Sequence, residues 1–425
     1  KTIFGNIPRF KTLVVSGIFN VGMYEFDSSI VFTNTIIPRK LLMIPGPSEA
    51  DPEVLPVLAK QVVAHYGDDF YKTYLDISNK LQQVFKTKND TILLPAPGSA
   101  ALEMAASNLI ESNDKIAVLI NGWFGELSQF LIESYGGKAV PIKFDFGSVV
   151  DLEKVKQTFS NNDIKAIFII HNDTSTGAYT NIKEISKIAK QFNSLVVVDA
   201  VSSFGGINIE VDNWNIDFCV GYASKALGGV PGVTPVAISK AFWDAALNRK
   251  KPAPGRMLNL ACWDDAIKNW AYWGHPYPTT QSASLILALD KALDIVLKEG
   301  LDARYKRHQI VSKSLRECCK VMGVPPFAHE STASPTVTVL KGFTKDTDLK
   351  IRTMLEQKYN IMISKGLGHL FGQVVRIGHM GTSASYGHMS QTIMALGNCL
   401  LDLGISDKEA VKEGTHVGLN ILSKL

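Results

Sequence analysis

The sequence predicts an α/β protein in which a large domain with a mostly parallel sheet is followed by a small C-terminal α+β domain. From residue 90 to about residue 240, short apolar runs alternate with amphipathic helical stretches. The runs are too short for helices and several are rich in Val and Ile, so they are predicted to be strands. Such alternation is typical of a parallel sheet that is covered by helices on both faces. After about residue 300 the pattern changes to long helices with a few strands, which indicates the second domain.

The order of predicted elements gives the domain boundaries. The strands of the large domain are residues 92–94, 116–120, 166–170, 195–198, 218–221 and 235–238, and the helices between them are residues 101–111, 126–135, 152–159 and 182–191. The small domain has predicted helices at 303–322, 346–358 and 389–403 and strands at 336–340, 361–364 and 374–377. We therefore divide the chain into an N-terminal extension or leader (1–40), a large domain (41–300), a small domain (301–410) and a tail (411–425).

The composition excludes several classes of protein. Of the 425 residues, 46% are hydrophobic and 20% are charged, which is ordinary for a globular protein. The net charge of +4 comes without a basic cluster, so no nucleic-acid partner is expected. No uncharged apolar stretch is long enough to span a membrane. The five cysteines form no C-x-x-C pair and the histidines lack metal-ligand spacing, so we expect reduced thiols and no metal site.

The two ends of the sequence carry separate signals. Residues 1–40 are basic, with Glu25 and Asp27 as their only acids, and are predicted to be a leader, an organelle presequence or a surface arm. The sequence closes on Ser423, Lys424 and Leu425, the tripeptide that the peroxisomal import receptor reads. We therefore expect a peroxisomal location, with a cytoplasmic location as the alternative.

An acid and a lysine follow two neighbouring predicted strands. Asp199 comes directly after the apolar run 195–198, and Lys225 follows the next run in a loop of small residues. In parallel sheets, ligands bind beyond the carboxyl ends of the strands. Pyridoxal phosphate needs a lysine for its Schiff base and an acid that keeps its ring nitrogen protonated. Either residue alone is weak as a signal, but the pair indicates this cofactor.

Three further segments fit the same cofactor. Gly98 and Ser99 lie in a turn that opens a helix, where free N–H groups bind phosphate. Phe124 follows the next strand and offers a ring for stacking. Thr174 lies in the hydroxyl-rich segment 171–177 after the following strand. Each of these segments is on its own also compatible with an ordinary strand–helix turn.

Together these stretches resemble the class V pyridoxal-phosphate aminotransferases of the alanine–glyoxylate and serine–pyruvate type. The resemblance extends from about residue 41 to residue 403. It is carried by residues 45–48, 98–99, 101–103, 171–177, 199–201, 224–227 and 376–378. It implies a fold type I transferase, a homodimer with shared active sites, and transfer of an amino group from alanine or serine to glyoxylate or pyruvate by a ping-pong Schiff-base mechanism.

The resemblance implies roles for the matching residues around the cofactor. Lys225 would bind the cofactor covalently and move the proton, Asp199 would pair with the ring nitrogen, and Val201 would pack on the ring. Phe124 would stack on the ring and Thr174 would lie near its phenolic oxygen. The phosphate would be held by Gly98, Ser99 and Ser224 of one chain and by Tyr277 and Thr280 of its neighbour.

The substrate residues implied by the resemblance leave alternatives open. Gly46 and Arg376 would bind the substrate, because a guanidinium matches a carboxylate with two hydrogen bonds. Ser224 is shorter than the glutamine that relatives often have there. Residues 199–206, 334–336 and 376–381 also resemble pyridoxamine–pyruvate aminotransferase, although Leu367 stands where that enzyme has a second arginine. That activity, or binding of vitamin B6 without turnover, is the alternative function.

Overall fold

The computed structural model describes residues 40–425, so the predicted extension lies outside the described residues apart from Lys40. The strands are β1 (Leu41–Leu42), β2 (Asp90–Leu94), β3 (Lys115–Ile120), β4 (Lys138–Lys143), β5 (Ala166–Ile170), β6 (Asn172–Asp173), β7 (Ala178–Tyr179), β8 (Leu195–Asp199), β9 (Phe218–Val220), β10 (Thr234–Ile238), β11 (Val337–Lys341), β12 (Ile361–Met362), β13 (Ser364–Lys365) and β14 (Val374–Gly378). The α-helices are α1 (Asp68–Phe85), α2 (Gly98–Leu109), α3 (Trp123–Ser134), α4 (Leu152–Ser160), α5 (Ile182–Gln191), α6 (Lys240–Leu247), α7 (Leu260–Asn269), α8 (Ala283–Glu299), α9 (Leu301–Val321), α10 (Lys345–Tyr359), α11 (Tyr386–Asp402) and α12 (Lys408–Leu422).

The large domain is built on a seven-stranded sheet in the order β2-β10-β9-β8-β5-β3-β4. Within it, β10 is antiparallel to both of its neighbours, whereas the other paired strands run parallel. The central strands are buried along their whole length, as expected for strands that are covered on both faces. The predicted mostly parallel α/β sheet is confirmed.

The small domain has a three-stranded antiparallel sheet in the order β11-β14-β13, on which α9 and α10 pack, and α11 and α12 pack on those helices. Its core includes Leu315, Ile351, Ile377 and Leu396, all fully buried. Met43 belongs to the same core, and β1 pairs in parallel with β12. Residues 41–43 therefore pack with the small domain, although their place in the chain groups them with the large one.

Three parts of the fold were not foreseen from the sequence. Strand β4 lies at the sheet edge and is partly exposed, and Pro141 stands within its short apolar run 139–142, which disfavours a strand. The segment predicted as a tail is largely helix α12, in which Gly414 and Gly418 allow close packing against α9 at Cys318. Helices α1, α6, α7 and α8 were not predicted.

Two features are absent from residues 40–425. No helix in this range is long and apolar enough to cross a membrane. The same range contains no group of three or more His, Cys, Asp or Glu side chains arranged to hold a metal ion.

Candidate active site

Asp199 and Lys225 meet at the carboxyl edge of the sheet because their strands are neighbours. Asp199 is the last residue of β8 and pairs in register with Val220, the last residue of β9. Lys225 lies in the turn that follows β9. The two side chains are close enough for the charge of each to influence the pKa of the other. The structure therefore brings together the pair on which the cofactor prediction depends.

The amine of Lys225 is partly buried and has a lowered pKa. Its Nζ donates a hydrogen bond to the main-chain oxygen of Pro45 at 2.8 Å. Burial, followed by the positive charge of Arg376, lowers the pKa of Lys225 to about 8, while Asp199 opposes the shift. A larger fraction of the amine is therefore neutral and nucleophilic near neutral pH than for an ordinary lysine.

The segment 45–48 contacts the turn of residues 223–227, which carries Lys225 and is called the lysine turn below. The backbone N–H of Ser48 donates to the Ser224 carbonyl at 2.9 Å, and its hydroxyl donates to the Lys225 carbonyl at 2.7 Å. Gly46 leaves space for the lysine, because a Cβ there would lie 2.0 Å from Lys225 Nζ. Gly46 is thus placed against the Lys225 amine, and its predicted role in substrate binding stays a prediction.

The carboxyl of Asp199 has a raised pKa. Its Oδ1 accepts a hydrogen bond from the backbone N–H of Val201 at 2.9 Å. Burial raises the pKa of Asp199 to about 6 and the charge of Asp173 adds to the shift, whereas the Val201 hydrogen bond and Lys225 oppose it. Within residues 40–425, no Lys, Arg or His forms a salt bridge with Asp199. The carboxylate is therefore available to a cationic N–H group of a ligand.

Asp173 is a buried acid of this site that the sequence analysis did not select. Its Oδ2 accepts from the backbone N–H of Phe124 at 3.1 Å, and its Oδ1 accepts from the N–H and hydroxyl of Ser175 at 2.9 and 2.5 Å. Asp173 therefore joins the start of α3 to the segment after β5. An acid just after a buried strand was the signal that identified Asp199, and the same signal was present here.

The predicted phosphate turn forms the first turn of α2. Gly98 is the first residue of the helix, and its N-cap Pro97 supplies no side-chain hydrogen bond. The first N–H groups of a helix lack partners within the helix and attract anions. Gly98 also permits close approach to Val201, since a Cβ at 98 would lie 2.6 Å from Val201 Cγ2. Ser99 is exposed beside it, and Ser224 is buried at the lysine turn.

Arg376 on β14 brings a buried cation from the small domain to the site. Its Nε donates to the Lys365 carbonyl at 2.7 Å and its Nη1 donates to the Thr174 carbonyl at 3.1 Å. Burial lowers the pKa of Arg376 to about 10, which leaves it charged at neutral pH. No carboxylate of residues 40–425 forms a salt bridge with it. The charge of Asp173 opposes the lowering of this pKa, but without a salt bridge the guanidinium, fixed by two carbonyls, suits the carboxylate of a ligand.

The aromatic residues at the start of α3 lie at the junction with the small domain. Phe124 is partly buried and meets Trp123 edge-on, with ring centroids 5.3 Å apart. A Cβ at Gly368 would lie 2.7 Å from Trp123 Cδ1, so the loop between β13 and β14 contacts this ring. Trp123 is a second residue that the sequence analysis did not select.

Tyr277 and Thr280 lie apart from the lysine turn of their own chain. Tyr277 is fully buried and its hydroxyl donates to the His65 carbonyl, while Thr280 is exposed. No hydrogen bond described for residues 40–425 connects either side chain to the lysine turn. The resemblance assigns both to a neighbouring chain's site, and that assignment stays a prediction.

The chemistry of these groups fits pyridoxal phosphate. A lysine amine of lowered pKa, a carboxyl at the sheet edge, a helix N-terminus without a side-chain cap and an unpaired arginine match its aldehyde, ring nitrogen, phosphate and the carboxylate of a substrate. Gly46 and Gly98 let the side chains of Lys225 and Val201 approach the backbone more closely than a Cβ would permit.

Comparisons with known proteins give a consistent result. The sequence model of aminotransferase class-V matches residues 53–380. The chain is 38% identical over 387 residues to an uncharacterized aminotransferase of Methanocaldococcus jannaschii, covering 91% of this chain and 98% of that one. It is 30% identical over 370 residues to alanine–glyoxylate aminotransferase of Drosophila melanogaster, covering 86% and 93%. The crystal structure of pyridoxamine–pyruvate aminotransferase from Mesorhizobium loti is similar with a TM-score of 0.83 and 28% identity, over 90% of this chain and 97% of that one.

Proposed function

This chain belongs to the class-V aminotransferases, whose cofactor is pyridoxal 5′-phosphate, and we propose that it transfers an amino group from alanine or serine to glyoxylate or pyruvate. The observation that carries the proposal is the meeting of Lys225, Asp199 and Arg376 at one edge of the sheet. These groups form no salt bridge with one another or with any other side chain of residues 40–425. All the proposed substrates carry a carboxylate that Arg376 can bind.

Each of the three charged residues has a distinct task in this proposal. The bound cofactor supplies an electron-withdrawing ring that weakens the Cα–H bond of the amino donor. Lys225 Nζ would take that proton from Cα and deliver it to the cofactor in a 1,3-proton shift, which its lowered pKa favours. The Asp199 carboxylate keeps the proton on the ring nitrogen. Arg376 holds the substrate carboxylate and thereby orients the Cα–H bond.

The remaining predicted residues hold the cofactor in this proposal. Gly98 and Ser99 at the start of α2, with Ser224 at the lysine turn, contribute phosphate contacts. Val201, Phe124 and Thr174 surround the ring. Gly46 would lie beside the bound substrate, because its backbone is in contact with the Lys225 side chain.

A spectroscopic experiment tests the proposal. Purified protein should be yellow, keep its cofactor through dialysis, and lose visible absorbance when alanine or serine is added alone. Glyoxylate or pyruvate should then restore the absorbance. The Lys225→Ala variant should keep its circular dichroism spectrum and lose turnover. Full activity of that variant would refute the assignment of Lys225.

A second candidate function is transfer of the amino group of pyridoxamine to pyruvate. The similarity to the Mesorhizobium enzyme favours it, whereas Leu367 in place of a second arginine does not. On this candidate the purified protein is colourless, ignores alanine until pyridoxal is supplied, and turns over pyridoxamine with pyruvate. A protein that binds vitamin B6 and shows neither turnover would be a binding protein without catalysis.

We propose that two copies form a homodimer across an apolar surface. Val62, Tyr66 and Tyr272 on this surface are 71%, 53% and 87% exposed. The segment with Val62 and Tyr66 is adjacent to the segment with Tyr272, because a Cβ at Gly274 would lie 2.7 Å from the backbone of Gly67. Exposed aromatic and aliphatic patches of this kind mark interfaces.

Light scattering tests the dimer. The wild-type protein should have twice the mass of one chain. The variant Tyr272→Asp should shift toward the monomer, and its activity should fall in parallel with the fraction of dimer. Tyr277 and Thr280 lie beside this surface in the chain, which supports their proposed contribution to the partner's phosphate site. A fully active monomer would refute the shared site.

Peroxisomal import stays a prediction. Ser423, Lys424 and Leu425 are exposed just beyond α12, so a receptor has access to them. The test is the location of the fluorescently tagged chain in eukaryotic cells, with and without these three residues. Retention of the full chain in the cytoplasm would refute the prediction.

A further inference from the structure

Arg304, in the first turns of α9, binds the two loops that carry the reactive side chains of the large domain. Its Nε donates to the Gly205 carbonyl at 2.8 Å, in the segment that follows Asp199. Its Nη2 donates to the carbonyls of Ala226 and Leu227 at 2.8 and 3.0 Å, directly after Lys225. The residue is 3% exposed, so these contacts are shielded from water. One guanidinium thus connects the Asp199 segment to the lysine turn.

Arg307, one turn further along α9, binds the segment that follows Arg376. Its Nη1 donates to the carbonyls of Gly381 and Ala384 at 2.9 and 2.5 Å. The neighbouring His308 supports the same turn, because its Nε2 accepts the backbone N–H of Gly381 at 3.1 Å. The end of β14 is therefore anchored to the same face of α9 as the lysine turn.

Glu299, the last residue of α8, joins the two arginines. Its Oε2 accepts from Arg304 Nη1 at 2.6 Å and from Arg307 Nη2 at 2.9 Å, and its Oε1 accepts from Arg307 Nε at 2.6 Å. Burial alone would raise the pKa of Glu299, but the two guanidiniums lower it, so the carboxylate stays charged. Bidentate pairs of this kind fix geometry as well as adding attraction.

The two anchored segments also touch each other directly. A Cβ at Gly381 would lie 2.9 Å from the Cα of Gly228, three residues after Lys225. The backbone of the lysine turn and the backbone beyond Arg376 are thus in contact just where the two arginines hold them. A shift of either segment would change the distance between the Lys225 amine and the Arg376 guanidinium that binds the substrate carboxylate.

We propose that Arg304, Arg307 and Glu299 form a clamp that sets the position of Lys225 relative to Arg376. Arg304 is a positioning residue for the lysine turn, and Arg307 is a positioning residue for Arg376, which binds the substrate carboxylate. None of the three touches the reacting atoms. This inference rests on the proposed function, since it assigns the two ends of the clamp to the amine and to the carboxylate site.

The division of tasks predicts different kinetic effects for the two arginines. A lysine at 304 keeps the charge but cannot reach three carbonyls and Glu299 together. Misplacement of Lys225 should lower kcat by about tenfold or more in Arg304→Lys, because small displacements of reacting groups are costly. In Arg307→Lys the KM values for amino donor and oxo acid should rise about fivefold, with a smaller change in kcat.

The experiment compares Arg304→Lys, Arg307→Lys and Glu299→Gln with the control Arg316→Lys, each saturated with cofactor. Arg316 is a partly buried arginine of α9 that donates to the Ser334 carbonyl at 3.3 Å, and no hydrogen bond described for residues 40–425 joins it to the carbonyls that Arg304 and Arg307 hold. The control should show how much stability is lost when a guanidinium is removed from α9. Its kcat and KM should stay close to those of the wild-type protein. Glu299→Gln keeps both arginines and should show both effects at reduced size.

A second readout does not depend on turnover. The pH midpoint of the visible absorbance of the bound cofactor reports the surroundings of Lys225, which include Asp199 on β8 and Arg376 on β14. It should move in Arg304→Lys and stay in place in Arg316→Lys. If an arginine variant fails to fold, the same kinetic and absorbance measurements on Glu299→Gln test the clamp.

Two results would overturn the clamp. One is an equal loss of melting temperature in all the variants with kcat, KM and the absorbance midpoint unchanged. The other is the same kinetic effect in Arg316→Lys as in Arg304→Lys. A wild-type protein that transaminates no donor–acceptor pair would instead refute the proposed function, and the absorbance midpoint would still report on the clamp.

Discussion

Gly46 and Lys225 lie so close together that only a residue without a side chain fits at position 46. A Cβ there would be 2.0 Å from Lys225 Nζ and 2.5 Å from two of the lysine's side-chain carbons. The backbone of Gly46 also has φ of +129°, a region that other residues rarely adopt. The segment 45–48 therefore determines how much space surrounds the amine.

Gly46→Ala should remove most of the activity and weaken cofactor binding while the chain stays folded. The added methyl group must displace the lysine from its hydrogen bond to Pro45, and kcat should fall by about tenfold or more. The matched control is Gly136→Ala, because Gly136 also has positive φ but no atom within 4 Å of an added Cβ. Steady-state kinetics and melting curves of both variants check this. Equal activity of the two variants would show that the space beside Lys225 is not needed.

The lowered pKa of Lys225 should be visible in the binding of cofactor to the apoprotein. The neutral amine is the nucleophile, so the rate of covalent binding should rise with pH around a midpoint near 8, below the ordinary 10.5 of lysine. Arg376→Met should move this midpoint upward, because the positive charge of Arg376 contributes to the lowering. Stopped-flow absorbance between pH 6 and 10 measures it. A midpoint near the ordinary value in both proteins would contradict the described environment of the amine.

The sequence predicted those parts of the site that follow apolar strands. Asp199, Lys225 and the turn at Gly98 follow such runs, and the parallel sheet that the runs imply brings these segments to one edge. Arg376 was placed by resemblance alone, because no local pattern tells which small-domain residue will face a distant sheet edge. Trp123 and Glu299 act through contacts between distant segments, and periodicity carries no information about such contacts.

Identification of elements by local sequence pattern also explains why strand β4 and helix α12 were missed. Strand β4 lies at the sheet edge, where a proline is tolerated, and Pro141 within its short apolar run argues against a strand on the sequence alone. Helix α12 contains Gly414 and Gly418, which weaken a helix on local propensity, and it forms because those glycines allow contact with α9. Both elements depend on their neighbours in space rather than on their own sequences.

Asp199→Asn should reduce kcat and weaken cofactor binding. An amide cannot stabilise a protonated ring nitrogen as a carboxylate does, and hydrogen bonds to charged groups contribute about 1.5–3 kcal/mol, or about tenfold to a hundredfold in rate. The control is Asp244→Asn, which removes a carboxylate from an exposed ion pair with Lys240. Kinetics with saturating cofactor and a cofactor titration check the two effects. Unchanged kcat in Asp199→Asn would mean that another group keeps the ring protonated.

Arg376→Lys should raise KM for every substrate whose carboxylate it binds. The guanidinium is fixed by the carbonyls of Lys365 and Thr174, and an ammonium cannot keep those bonds while offering two more to a carboxylate. Loss of a bidentate charged contact should raise KM about tenfold or more, with a smaller change in kcat. The control is Arg352→Lys, which alters an arginine paired with Asp348 on α10.

The same variant separates the two candidate reactions. If alanine or serine is the amino donor, both donor and acceptor carry a carboxylate, so both KM values should rise. Pyridoxamine has no carboxylate, so on the alternative function KM should rise for pyruvate and stay unchanged for the donor. Initial rates with each substrate varied in turn distinguish these patterns. If neither KM changes, Arg376 serves the structure rather than the substrate, because two carbonyls already hold its guanidinium.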